Sequence, residues 1–226
     1  MLPDSFILFL PKDILSGDFY WLDEINDKIL VAAVDCTGHG VPGALMSIVG
    51  NNILNQSIIE HKISKPSEIL DELNKGVTNT LRQKNEESKV KDGMDIVLLA
   101  LNRQKNILEF AGANNPLYHI RNGELNEIKG NKFPIGIFIG EEIRHFTNHE
   151  IPLQKGDTIY LFTDGYADQF GGPKGKKFKY NQFKTILLEI QTLPMNAQRE
   201  KLLTAIRSWQ GENEQVDDIL VIGIKI

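Results

Sequence analysis

Hydrophobic positions along the chain fall into short blocks of two kinds. Blocks of β-favouring residues occupy 5–11, 17–24 and 27–35, with Glu24-Ile25-Asn26-Asp27 as the turn between the last two. Helical spacing follows over 42–61 (Leu45, Ile48, Val49, Ile53, Leu54, Ile58) and over 66–83 (Ile69, Leu70, Leu73, Val77, Leu81), with Ser67 as the candidate N-cap. The polar stretch 83–92 reads as a loop. A meander of strands then runs through 94–102, 106–112, 116–121 and 124–129, with Asn122-Gly123 as a hairpin turn. Phe133-Pro-Ile-Gly136 reads as a loop approaching the sheet, and strands return at 143–150 and 157–163. A basic, glycine-rich loop spans 171–179, helices occupy 180–191 and 195–210, and a last strand covers 217–225. Antiparallel strands with paired helices and no βαβ alternation predict an α+β sandwich.

Four of the strand blocks have a carboxylate at one end. Asp35 ends the run Leu30-Val-Ala-Ala-Val34 and is followed by the glycine-punctuated turn Thr37-Gly-His-Gly40. Asp164 ends Thr158-Ile-Tyr-Leu-Phe-Thr163, Asp217 and Asp218 open the final strand, and Asp18 leads into Phe19-Tyr-Trp21. A single Asp-Gly is ordinarily a hairpin turn. A carboxylate at the mouth of a buried strand is costly unless something pairs with it, so four of them point to a shared site. Aspartate oxygens suit hard divalent cations such as Mg²⁺ or Mn²⁺, whereas Cys36 and His39 lack the spacing of a zinc pair. At an effective dielectric of about 20, two such charges 4 Å apart repel by roughly 4 kcal/mol. The cluster must therefore bind a cation or take up protons.

Composition narrows the setting. The 226 residues suffice for one large domain with a substantial core. A net charge of −5 argues against nucleic acid or an anionic membrane as the main partner. No apolar run approaches the ~20 residues that span a bilayer, and no signal peptide pattern opens the chain. Cys36, the single cysteine, suits a reducing, cytoplasmic location and reads as a small buried residue rather than a nucleophile. The abrupt start on a core strand suggests one domain, residues 1–226, excised from a longer protein.

Taken in order, Ser16-Gly-Asp-Phe-Tyr-Trp21, Asp35-Cys-Thr-Gly-His-Gly40, Phe162-Thr-Asp-Gly165 and Val216-Asp-Asp-Ile219 resemble the SpoIIE/RsbU-like branch of the metal-dependent, 2C-type (PPM) serine/threonine protein phosphatases. Phe110-Ala-Gly-Ala-Asn-Asn-Pro116 and Phe133-Pro-Ile-Gly136 are similar to its intermediate motifs. The resemblance implies an αββα sandwich of two mainly antiparallel sheets, with helices on the outer faces and metals at one edge. It implies two Mn²⁺ or Mg²⁺ ions, a third being left open, and attack on phosphorus by a water held between them. Asp35 would bridge the ions, the Cys36 carbonyl would add an oxygen, Asp164 and Asp217 would complete the ligands of the first ion, and Asp18 would lie near the second, directly or through water. Asp35 and Asp164 would carry the catalysis, and Asp218 would stand behind Asp217. The implied substrate is a phosphorylated regulator such as a STAS-type anti-sigma-factor antagonist. Sensory or regulatory segments ahead of the domain would control it, tether it to a membrane sensor or pair it into a homodimer.

Three departures from the family pattern are visible: Asn114 where many members have histidine, Leu220 for a hydroxyl residue, and Asp168 for glutamate. They leave the proton donor to the leaving oxygen unassigned. His39 either serves as that acid or merely packs or caps in its turn. Lys174, Lys176 and Lys177 either steer an acidic partner or form a solvated loop, and Gly43-Ala44 either offers N–H groups to an anion or permits close packing. The competing reading is a catalytically weak or inactive phosphoprotein-binding module of the same fold.

Overall fold

The computed structural model describes residues 2, 4–81, 92–136 and 144–226. The loop expected over 83–92 lies almost wholly outside them. Seventeen elements follow one another along these residues: β1 (Ser5–Leu10), β2 (Phe19–Ile25), β3 (Lys28–Cys36), α1 (Gly40–Ile59), α2 (Pro66–Thr80), β4 (Met94–Asn102), β5 (Ile107–Ala113), β6 (Leu117–Arg121), β7 (Glu124–Ile128), β8 (His149–Pro152), β9 (Thr158–Phe162), α3 (Gly165–Asp168), β10 (Phe170–Gly171), β11 (Lys176–Lys177), α4 (Tyr180–Ile190), α5 (Met195–Gln210) and β12 (Ile219–Lys225).

The strands build two five-stranded sheets, ordered β1-β12-β9-β6-β7 and β2-β3-β4-β5-β8, and the short β10–β11 hairpin. Every named pairing is antiparallel. The alternation of side chains along β3 shows why they stack. Val31 and Ala33 meet Ile159, Leu161, Leu220 and Ile222 of the opposing sheet, while Leu30, Ala32 and Val34 meet Leu54, Ile58 and Leu70 of α1 and α2. With both faces covered, β3 reads as a continuous apolar run rather than an alternating one. On the far side, Phe183, Leu187, Leu202 and Ile206 of α4 and α5 cover Phe6, Leu8, Tyr160 and Val221. The result is the expected αββα sandwich.

Turn chemistry fixes register where the sequence supplied it. Asn122 and Gly123 adopt φ 53° and 82°, and Asn26 and Asp27 adopt 52° and 60°, the left-handed pairs that two-residue hairpins require. Two expectations fail. The strand expected at 143–150 is reduced to His149–Pro152, because side chains satisfy the preceding backbone: Asp71 Oδ1 accepts the Phe146 N–H and Asn131 Oδ1 the Thr147 N–H, both at 2.9 Å. Ser67 is not the cap of α2. Lys65 holds that place, and Pro66 takes the first turn, where its missing N–H costs nothing.

Candidate metal centre

The glycines around the Asp35 turn bring the acid-bearing loops together. A Cβ on Gly17 would lie 2.4 Å from the Gly38 carbonyl oxygen, and one on Gly43 only 2.2 Å from the same atom. Only hydrogen side chains let the Asp18 loop, the Asp35 turn and the start of α1 touch, so close packing accounts for Gly43. Gly165 is as constrained, since its Cβ would meet the Asp218 carbonyl oxygen at 2.0 Å. Gly165→Ala should therefore cost about 3 kcal/mol and lower Tm by roughly 6–12 °C, measured by calorimetry; an unchanged Tm would contradict this packing.

Asp218 clips the assembly from behind. Its Oδ1 accepts the Lys12 backbone N–H at 2.7 Å, and its Oδ2 accepts those of Gly17 at 2.8 Å and Asp18 at 3.4 Å. Buried among backbone donors, it holds the loops together. Thr163 joins the two sheets' loops: its hydroxyl accepts the Leu220 N–H at 3.1 Å and bonds to Asp18. The second oxygen of Asp18, Oδ2, is buried without any partner.

Asp18, Asp35, Asp164 and Asp217 are electrostatic neighbours, and each is shifted toward its protonated form. Burial, then Asp35, drives Asp18 up to about 10. Burial, followed by the charges of Asp164, Asp217 and Asp95, lifts Asp35 to about 8. Asp164, which shares a hydrogen bond with Asp35, rises to about 6, chiefly through burial and then Asp217. Asp217 is also raised by burial, although Lys12 and His39 pull the other way. The Cys36 thiol is pushed up by burial and by Asp35, so it is no nucleophile at neutral pH.

Sequence reasoning missed two further participants. Asp95 stands directly across the β3–β4 ladder from Asp35 and raises both Asp35 and Asp164. Its Oδ1 accepts the Asn114 amide at 2.8 Å, so the residue that departs from the family pattern holds an acid in place. Asp95 follows Asp92-Gly93 at the start of β4, as Asp18 follows Gly17, and the register sets it against Asp35. Lys12 is the other. Its Nζ lies 3.0 Å from His39 Nε2, while His39 Nδ1 lies 2.7 Å from Asp13 Oδ2. His39 occupies the N-cap position of α1 but makes no side-chain cap, so it does not cap. In the basic loop, Lys177 is tied to Asp168 at 2.6 Å.

The donor set fits hard divalent cations: acidic oxygens, one buried and unpartnered, whose mutual repulsion a cation would relieve. Among the described residues, no three His, Cys, Asp or Glu side chains already close around a common point.

Residues 26–226 match the model of the family described as Stage II sporulation protein E (SpoIIE). The chain is 28% identical over 165 residues to the phosphoserine phosphatase RsbU of Bacillus subtilis, an alignment covering 70% of this chain and 45% of that protein. It thus spans less than half of that relative. The SiaA-PP2C domain of Pseudomonas aeruginosa superposes with a TM-score of 0.88 at 34% identity, over 99% of this chain and 86% of that one. The phosphatase domain of SpoIIE from Bacillus subtilis, solved with a fragment of its regulatory domain, gives 0.76 at 17% identity, covering 98% and 62%, and supports the fold alone. The chain belongs to the SpoIIE family, in the SpoIIE/RsbU-like branch of the PP2C-type phosphatases.

Proposed function

We propose that the protein is a Mn²⁺- or Mg²⁺-dependent phosphoserine/phosphothreonine protein phosphatase acting on a phosphorylated regulator of the STAS type. The observation that carries this reading is the edge-of-sandwich acid cluster, with the buried Asp18 Oδ2 lacking any partner. Asp35, Asp164 and Asp217 would hold the cations, with Asp18 and the Cys36 carbonyl contributing at the margins. Divalent cations, when bound, would neutralise phosphate oxygens and activate a water for in-line attack. The chain's own part is to fix the acids. Thr163 orients Asp18, Asp218 clips the loop that carries Asp18, Asn114 restrains Asp95, and Asp35 and Asp164 stand close enough that a cation would relieve their repulsion.

No helix among the described residues is long and apolar enough to cross a membrane, and the net charge of −5 does not favour nucleic acid. Cytoplasmic placement and a protein partner follow as parts of the same proposal. Phosphate release from a phosphoserine protein is expected to require added Mn²⁺ and to stop with a chelator. Tight phosphoprotein binding without any release would instead favour the non-catalytic module.

A further inference from the structure

The four acids would repel a phosphate dianion, so what brings positive charge to the substrate matters. Lys12, whose backbone is held by Asp218, and His39, in the turn after Asp35, bring basic groups to the cluster, and both act on Asp217. Resting on the phosphatase reading, we infer that Lys12 receives the phosphoryl oxygens of the substrate, and that His39 and Asp13 position it.

Hydrogen-bond roles order the three side chains. A lysine ammonium has three donors and no acceptor. Its contact with His39 Nε2 at 3.0 Å therefore makes that nitrogen an acceptor and places the ring proton on Nδ1. Nδ1–H then donates to Asp13 Oδ2 at 2.7 Å. In this tautomer His39 has no proton on the nitrogen facing Lys12, so it is not the acid for the leaving oxygen. Gly40 makes room for the arrangement: it sits at φ +65°, and a Cβ there would come within 3.3 Å of Asp13 Oδ2.

Lys12 is held at both ends. Asp218 fixes its backbone N–H at 2.7 Å, and His39 fixes its head. A free lysine loses rotamer entropy on being ordered, and here much of that ordering precedes substrate. The recorded partner of Nζ is an imidazole rather than a carboxylate, so two N–H donors and the charge remain for a phosphate monoester. A charge-assisted hydrogen bond of this kind is the stronger sort and carries no demand for a planar fork.

The test is calorimetric titration of inorganic phosphate into the Mn²⁺-saturated protein, with KM and kcat for a phosphoserine substrate read in parallel. Lys12→Met should weaken phosphate binding and raise KM by about 10- to 100-fold, with Mn²⁺ affinity unchanged as the sign of an intact site. His39→Leu should follow Lys12→Met. His39→Gln, whose amide oxygen can accept from an ammonium, should restore most of the affinity. Lys105→Met, in the exposed β4–β5 turn, should match wild type. Unaltered phosphate affinity in Lys12→Met overturns the inference, as does a His39→Leu protein that loses kcat with KM and phosphate affinity intact. Wild type that binds phosphate through Lys12 without turnover keeps the lysine's role and removes the phosphatase reading. Wild type that binds no phosphate overturns the inference.

Discussion

Asp35→Asn should lower cation-dependent turnover by about 10³-fold or more, equivalent to ~4 kcal/mol of lost transition-state stabilisation, while the cation-free protein becomes more stable. The two effects come from one cause. Asp35 is surrounded by other acids, with Asp164, Asp217 and Asp95 all raising it beyond what burial does. Asparagine keeps the shape and can donate its amide to Asp164, so the repulsion goes while the packing remains. The predicted gain is roughly 1–3 kcal/mol at pH 8, seen as a higher Tm in chelator. A variant that loses activity together with stability would mean that Asp35 matters for folding rather than for holding cations.

The second large effect is the pH dependence of the cation-free protein. Asp35 and Asp18 have folded-state values raised to about 8 and about 10 from an ordinary 3.8. Between the unfolded and folded values the native state binds more protons than the unfolded chain, so stability falls as pH rises. The slope approaches about 1.4 kcal/mol per pH unit for each such group. From pH 5 to pH 8 the two groups together should cost up to about 8 kcal/mol, or roughly 16–32 °C in Tm. Asp157 has the opposite sign, being lowered by Arg121 and its other hydrogen-bond partners against its burial, but its contribution is lost only below about pH 4 and does not enter this window. Saturating Mn²⁺ should flatten the profile, because a cation replaces the protons. Equal Tm at pH 5 and pH 8 in chelator would remove the electrostatic account of the cluster.

Most of this architecture could be read from the residues because local chemistry and global fold agree. The run Leu30–Val34, the Asn122-Gly123 turn and the helical stripe Ile69, Leu70, Leu73, Val77 each specify one conformation. What escaped depended on distant partners. The 144–148 segment has strand-like composition, but Asp71 and Asn131 take its N–H groups before a neighbouring strand can. The single turn of α3 follows from Asp164, whose carbonyl accepts the Ala167 and Asp168 N–H groups at 2.9 Å, and four residues carry no periodicity.

The candidate site divides in the same way. Asp18, Asp35, Asp164 and Asp217 are visible because each interrupts an apolar block beside glycine or another acid. Asp95 also stands at a strand end, two residues after Gly93, but its pairing with Asp35 comes from register. Lys12 sits six residues before Asp18 in a segment that reads as plain loop, and its meaning comes from His39, 27 positions away. His39 drew attention by its place in a glycine turn, yet its ring serves Lys12 and Asp13. The acids were legible, and the cation beside them was not.

The central claim is that these acids hold divalent cations that drive hydrolysis of phosphoserine. The most direct measurement is phosphate release from a phosphoserine protein by wild type and by Asp164→Asn, each with Mn²⁺ and with chelator. Release should occur only with wild type and Mn²⁺. Equal release by both proteins, or release in chelator, would contradict it.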